Sequence, residues 1–137
     1  MENNKPVKPH TFYTIGLSYK KADAEMRGRF SLDEVSKINV LQQAKAEGIE
    51  SLIVTSTCNR TEIYGFAEHP FQLIKLLCEN SLGTVEDFQR VAYVYKKEDA
   101  IQHLFRVGTG LDSQILGDFE IIKKKKNAFI QSKNHDV

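Results

Sequence analysis

Cys58 closes an apolar run and stands two residues before Arg60, in the stretch Thr55-Ser56-Thr57-Cys58-Asn59-Arg60-Thr61-Glu62-Ile63-Tyr64. A thiol at a strand end is open to a substrate. A guanidinium beside it stabilises the thiolate and grips a carboxylate in a bidentate fork. These residue types at this spacing suit covalent chemistry on an acidic acyl compound. The competing reading is a small buried apolar residue, the usual fate of a free cysteine. Thr57, Asn59 and Arg60 are poor company for a dry core. Cys78, near Ile74, Leu76 and Leu77 on a helical pattern, reads as core.

His103 is the histidine best placed for proton transfer. It lies in a helical pattern just before Leu104-Phe105, with Asp99 one turn back to orient its ring. A lone helical histidine is also commonly structural. Chemistry requires that the fold bring it to Cys58, which would form a Cys/His pair. Gly108-Thr109-Gly110-Leu111-Asp112-Ser113 has Ser113 where a dinucleotide fingerprint needs its third glycine, and it follows a helix rather than a strand. The chain thus shows no nicotinamide site of its own. Lys123 to Lys126 reads as solvated charge or as an RNA-backbone contact. The histidines and cysteines are too scattered for a metal site, and nothing supports a Ser/His/Asp triad.

The elements that must position these residues are legible as patterns. Residues 1–10 read as a loose tail and 11–137 as one domain. Phe12 to Leu17 alternates as a strand, with Tyr13, Ile15 and Leu17 on one face and Gly16 hinting at close backbone approach or simply at a strand end. Ser31-Leu32-Asp33-Glu34 reads as a capping box, starting a helix that Gly48 ends. Residues 49–57 and 61–67 read as a hairpin with Cys58 near its tip. Pro70 opens a helix whose apolar face is Phe71, Ile74, Leu77 and Cys78. Thr84 to Asp87 offers a short helical start, Val91 to Tyr95 a fourth strand, and Glu98 to Val107 a helix with Ile101, Leu104 and Phe105 inward. A final helix carries Phe119, Ile122, Phe129 and Ile130. This order predicts an α+β fold: a ferredoxin-like split β-α-β sandwich, with a four-stranded, mainly antiparallel sheet and C-terminal helices.

The 137 residues, 41% hydrophobic and 27% charged, fit one soluble globular domain. A net charge of +1 argues against a strongly basic nucleic-acid binder without excluding a small RNA contact. No apolar run reaches the ~20 residues of a membrane span, and the polar N-terminus has no signal-peptide core. The expected location is the cytoplasm, with free thiols.

Three segments resemble the glutamyl-tRNA reductases, in that family's order. They are Gly16-Leu17-Ser18-Tyr19-Lys20-Lys21-Ala22 with Arg27 and Phe30; Ser56 to Tyr64; and His103-Leu104-Phe105-Arg106-Val107 through Gly110 to Gly117. The resemblance implies the family's N-terminal catalytic domain. Cys58 would be the nucleophile that forms a glutamyl thioester from glutamyl-tRNA, and His103 would assist proton transfer. Arg60 would hold the substrate carboxylate, while Thr57, Asn59, Ser113 and Glu120 fall at substrate-lining positions. It further implies reduction by NADPH, bound by a domain absent from this chain, to glutamate-1-semialdehyde for tetrapyrrole biosynthesis. A homodimer and the downstream aminomutase are the implied partners, with no membrane. The last helix is still periodic at Ile130: either the domain ends in a frayed helix or, as the resemblance implies, this is the first domain of a longer protein. The chain departs from the family pattern at Tyr19, usually histidine, at Phe119-Glu120, usually Pro-Gln, and at Lys123 to Lys126. Two other readings compete: a binding module without chemistry, and a thiol acyltransferase or hydrolase unrelated to tRNA. A carboxylate-binding Arg60 separates the reductase domain from the second of these, because it makes the site glutamate-selective.

Overall fold

The computed structural model describes residues 10–107 and 113–117. Strand β1 (Thr11–Ser18) leads through a short helix α1 (Ala24–Arg29) to helix α2 (Glu34–Ala46). The hairpin follows as β2 (Leu52–Ser56) and β3 (Arg60–Ala67), then helices α3 (Pro70–Glu79) and α4 (Val85–Val91). Strand β4 (Tyr93–Lys96), helix α5 (Glu98–Val107) and strand β5 (Gln114–Leu116) complete the described part. The sheet order is β4-β1-β3-β2-β5, and every neighbouring pair is antiparallel. Strands β1 and β2 therefore run the same way with β3 between them, which is the expected split β-α-β arrangement.

The sheet has five strands rather than the expected four. Gln114–Leu116 pairs with the outer edge of β2, where a helix was expected to begin. The expected final helix, with Phe119, Ile122, Phe129 and Ile130, lies outside the described residues, as do Lys123 to Lys126 and nearly all of the N-terminal tail. Among the described residues no helix is long and apolar enough to cross a membrane.

Alternation along the strands divides the interior in two. Ile15 and Leu17 of β1, Leu52 and Val54 of β2 and Ile63 of β3 face α2 and α3, where they pack with Val40, Leu73, Leu76 and Leu77. The opposite face carries Phe12, Ile53 and Tyr64 against Ala100, Ile101 and Leu104 of α5. Burying Leu or Ile side chains of this kind contributes about 1.5–3 kcal/mol each, so both faces are held by substantial apolar cores. The α5 face is the one that carries His103.

Local signals decide the helix ends. Asp33, not Ser31, caps α2: its Oδ1 accepts from the Ser36 amide at 2.8 Å, while the Ser31 hydroxyl turns back to the Gly28 carbonyl. Gly48 follows α2 at φ +87, a left-handed conformation open to glycine. Helix α3 opens with Pro70 after His69, whose Nδ1 accepts from the Phe71 amide at 3.0 Å, and Gln72 completes a capping box. Its buried face is Leu73, Leu76 and Leu77, whereas the expected Phe71 is 46% exposed. In α5, Ile101 and Leu104 are buried as expected; Phe105 is only half-buried and His103 takes a buried position instead.

Candidate functional site

The β2–β3 connection is a tight turn that carries Cys58 at its tip. The Thr57 amide donates to the Arg60 carbonyl at 2.8 Å and closes it. The Thr57 hydroxyl accepts from the amides of Asn59 and Arg60, each at 3.3 Å. Thr57 thus builds the turn. From outside, the segment after β1 clamps it. The Tyr19 amide donates to the Asn59 carbonyl at 2.8 Å, and Arg27 Nε donates to the Cys58 carbonyl at 3.0 Å. Arg27 is itself fixed by Nη1 on the Ala22 carbonyl at 2.7 Å. The backbone of Cys58 is held while its side chain stays exposed, with Sγ 3.9 Å from Asn59 Oδ1. Cys78, by contrast, is partly buried on α3, and burial pushes its thiol above the ordinary range.

Arg60 and His103 meet over a residue that pattern reading passed by. Glu62 lies on the α5 face of β3, fully buried. Its Oε1 accepts from the Tyr64 hydroxyl at 2.7 Å. Its Oε2 accepts from the Tyr93 hydroxyl, contacts His103 Nε2, and lies 3.7 Å from Arg60 Nη1. The expected orienting partner of His103, Asp99, is exposed; the acidic partner is Glu62, from another element. Burial pushes the Glu62 carboxyl upward, but hydrogen bonds from His103, Tyr93 and Tyr64 outweigh it and hold the group below its ordinary value. Burial, reinforced by the Glu62 charge, pushes the phenols of Tyr64 and Tyr93 far above theirs. Both tyrosines are therefore permanent donors, and Glu62 is a permanent acceptor near neutral pH. A charged carboxylate on Nε2 requires the proton there, so the neutral imidazole keeps Nδ1 as its acceptor.

Room for this carboxylate comes from β1. Gly16 pairs with Glu62 across the strands, and a Cβ at Gly16 would lie 2.5 Å from the Thr61 carbonyl oxygen and 2.7 Å from Glu62 Cγ. The close approach expected at Gly16 is thus real. The sequence signals for Glu62 were weak: a glycine opposite it, and Tyr64 and Phe66 at two-residue spacing on the same face.

Above the network a cleft of about 550 Å³ opens between the β1–α1 segment, β4 and α5. Arg60, His103, Tyr93 and Tyr95 line it, and Cys58 is not part of that lining. The structure therefore unites Arg60 and His103 in one cleft and puts Cys58 on the turn that leads into Arg60. Ser113 is described just before β5, with a buried hydroxyl that has no partner among the described residues. Glu120 lies outside the described residues. No group of His, Cys, Asp and Glu among the described residues is placed to hold a metal ion.

Residues 15–137 match the family model described as the N-terminal domain of glutamyl-tRNA(Glu) reductase. The chain is 77% identical to the glutamyl-tRNA reductase of Flavobacterium psychrophilum over 137 residues, all of this chain and 33% of the relative. It is 74% identical to that of Christiangramia forsetii over 133 residues, 97% of this chain and 32% of the relative. Among solved structures, the glutamyl-tRNA reductase from Methanopyrus kandleri aligns with a TM-score of 0.54 at 23% identity, covering 90% of this chain and 28% of that one; this likeness speaks to the fold. The chain spans about a third of the length of the curated relatives it matches. On a family match of this extent, together with identities of this level, the chain belongs to the glutamyl-tRNA reductase N-terminal domain family.

Proposed function

We propose that this chain is the acyl-accepting catalytic domain of a glutamyl-tRNA reductase of tetrapyrrole biosynthesis. The observation that carries the reading is the clamped turn: an exposed thiol on a backbone fixed by Arg27 and Tyr19, two residues from a guanidinium that lines a cleft. In the proposed step the Cys58 thiolate adds to the ester carbonyl carbon of glutamyl-tRNA. A C–S bond forms, the C–O bond to the terminal ribose breaks, and the departing ribose oxygen takes up a proton. Arg60 binds the substrate's side-chain carboxylate, and His103, fixed through Nε2 by Glu62, handles the proton through Nδ1. Thr57 and Asn59 shape the turn around the thiol, and the resemblance assigns Ser113 and Glu120 to substrate binding as well.

In the full reaction NADPH supplies hydride to release glutamate-1-semialdehyde. Among the described residues no glycine-rich turn leads from a strand into a helix, so none of them fits that cofactor. The same reading carries a cytoplasmic location, a homodimer, and delivery of the aldehyde to the downstream aminomutase.

The test is the intact mass of the protein after mixing with glutamyl-tRNA in the absence of NADPH. A hydroxylamine-labile glutamyl adduct lost in Cys58→Ser and retained in Cys78→Ser is expected. A folded full-length protein that forms no adduct would leave the binding-module reading in its place.

A further inference from the structure

The clamp on the Cys58 turn has an outer end that the acyl-transfer step does not touch. Helix α1, which carries Arg27, is a poor helix by itself. It is six residues long, buries no side chain fully and holds Gly28 in its interior, where a Cβ would meet nothing within 4 Å. A helix this short is not stable alone, and an interior glycine weakens it further. Its position comes from what it is tied to.

The C-terminal end of α1 is tied to the segment that joins α3 to α4 and to α4 itself. Arg29 Nη1 donates to Asp87 Oδ2 at 3.2 Å, and its Nη2 donates to Glu25 Oε1, one turn back, at 3.2 Å. The Leu82 amide donates to the Arg29 carbonyl at 2.9 Å. Phe30, fully buried, meets the Phe88 ring edge-on at 5.9 Å. Asp87 is buried near the start of α4. Burial pushes its carboxyl upward, but hydrogen bonds from Arg29 and Thr84 outweigh this and hold it below its ordinary value, so it is charged at neutral pH. Arg90, from within α4, donates to the other oxygen, Oδ1, at 3.1 Å.

The packing of Phe30 fixes where the end of α1 sits, but not how the helix is turned about its axis. The two arginines fix that. Residues two apart on a helix point roughly 200° apart. Arg27 and Arg29 therefore reach opposite ways, one to the Cys58 carbonyl at 3.0 Å and the other to Asp87. A rotation that frees Arg29 from Asp87 also turns Arg27 away from the turn that bears the thiol. None of the residues lining the cleft belongs to α1 or α4.

We propose that Asp87 is a positioning residue for the Cys58 thiol: through Arg29 it sets the rotation of α1, and through Arg27 it sets the backbone of the turn. This inference rests on the functional reading above and adds a residue remote from the cleft on which acylation depends. Asp87 acts on the rate of attack and not on substrate binding, because neither it nor the two arginines line the cleft.

The experiment uses the full-length protein and glutamyl-tRNA without NADPH, with adduct formation followed in time at several glutamyl-tRNA concentrations. Asp87→Asn and Arg29→Met should each lower the limiting rate by about fivefold and leave the half-saturating concentration within about twofold of wild type. Arg90→Ala removes the exposed partner of the same carboxylate and should keep the limiting rate within about twofold. A general weakening of the fold would multiply with the loss of Arg27, whereas action through Arg27 does not. In an Arg27→Ala background, Asp87→Asn should therefore cost no further rate, while the losses in thermal midpoint still add. Wild-type rates in folded Asp87→Asn and Arg29→Met proteins would overturn the proposal, as would a full second loss in the double variant. Deuterium exchange is measured on the same proteins. The amides of Thr57 and Tyr19, which close and clamp the turn, should exchange faster in Asp87→Asn and Arg29→Met relative to Ile15 of β1. Unchanged relative exchange at both would overturn the proposal whatever the adduct shows. A wild-type protein that forms no adduct would count against the acyl-transfer reading, and the exchange at the turn would then decide the role of Asp87.

Discussion

Glu62 on β3 and His103 on α5, 41 positions apart, are joined through Oε2 and Nε2 in a buried contact on one face of the sheet. This contact couples the strand that follows the Cys58 turn to the helix that walls the cleft. Removing the charge of Glu62 should reach both stability and chemistry. Glu62→Gln should cost about 1–3 kcal/mol at pH 7, because buried donors lose their acceptor. The Glu62 carboxyl is held below its ordinary value of 4.5 in the folded state. Its contribution is therefore complete above that value and lost as pH falls through the depressed one. Urea unfolding from pH 7 to 3 should show a shallower acid decline for Glu62→Gln than for wild type. Parallel curves would rule out this role.

Gly16 should tolerate no side chain. In Gly16→Ala the new methyl would meet the Thr61 carbonyl and the Glu62 stem, and β1, buried and paired on both sides, has little freedom to yield. A loss of about 1–3 kcal/mol is expected from overpacking, read as a lower urea midpoint at unchanged m-value. A wild-type midpoint would mean that the strands separate without cost there.

The two cysteines should differ sharply toward a small alkylating reagent. Cys58 is exposed, whereas Cys78 is partly covered and its thiol is pushed up by burial. At pH 7.5, peptide mapping after brief treatment with iodoacetamide should find label on Cys58 first, by roughly tenfold or more. Cys58→Ser should change stability by less than about 0.5 kcal/mol, as for surface positions generally. Equal labelling of both thiols would contradict the placement of Cys58 at an open turn.

Arg27 should matter to acylation without touching substrate. Its guanidinium spans the carbonyls of Cys58 and Ala22, and a lysine has no fork with which to hold both. Arg27→Ala and Arg27→Lys should both slow adduct formation from glutamyl-tRNA by on the order of tenfold, through misplacement of the thiol. Alkylation of Cys58 by a small reagent should stay within twofold of wild type. Acylation at the wild-type rate in both variants would show that the clamp is dispensable.

The parts of this structure that announce themselves in sequence are those governed by local chemistry. The hairpin is legible because two β-rich runs flank a short polar turn, and α5 is legible because Ile101 and Leu104 recur at helical spacing. Helix α1 is not, because Ala24–Arg29 buries no residue; it rests on the Asp23 cap, whose Oδ1 accepts from the Met26 amide at 2.8 Å, and on Arg27 and Arg29 contacts to other segments. Strand β5 is three residues long and exists through its pairing with β2, some sixty positions earlier. Cys58, Arg60 and His103 could be named from residue type and resemblance. Glu62 could not: a glutamate in an alternating strand reads as a solvent-facing position, and only the packing of α5 over that face turns it inward. The ring-orienting role assigned to Asp99 went to Glu62 for the same reason, since a contact across elements leaves no trace in helical spacing.

Strand β1 is bonded on both flanks from Tyr13 to Gly16, to β3 on one side and β4 on the other. Amides in a doubly paired, buried strand exchange with solvent only when the whole domain opens, whereas a turn tip exchanges by local fluctuation. In deuterium exchange the floor that seats Glu62 should therefore be among the last segments to label, and Asn59 at the tip among the first. The base of the hairpin should keep time with global unfolding, while the turn opens locally when its few clamping hydrogen bonds break.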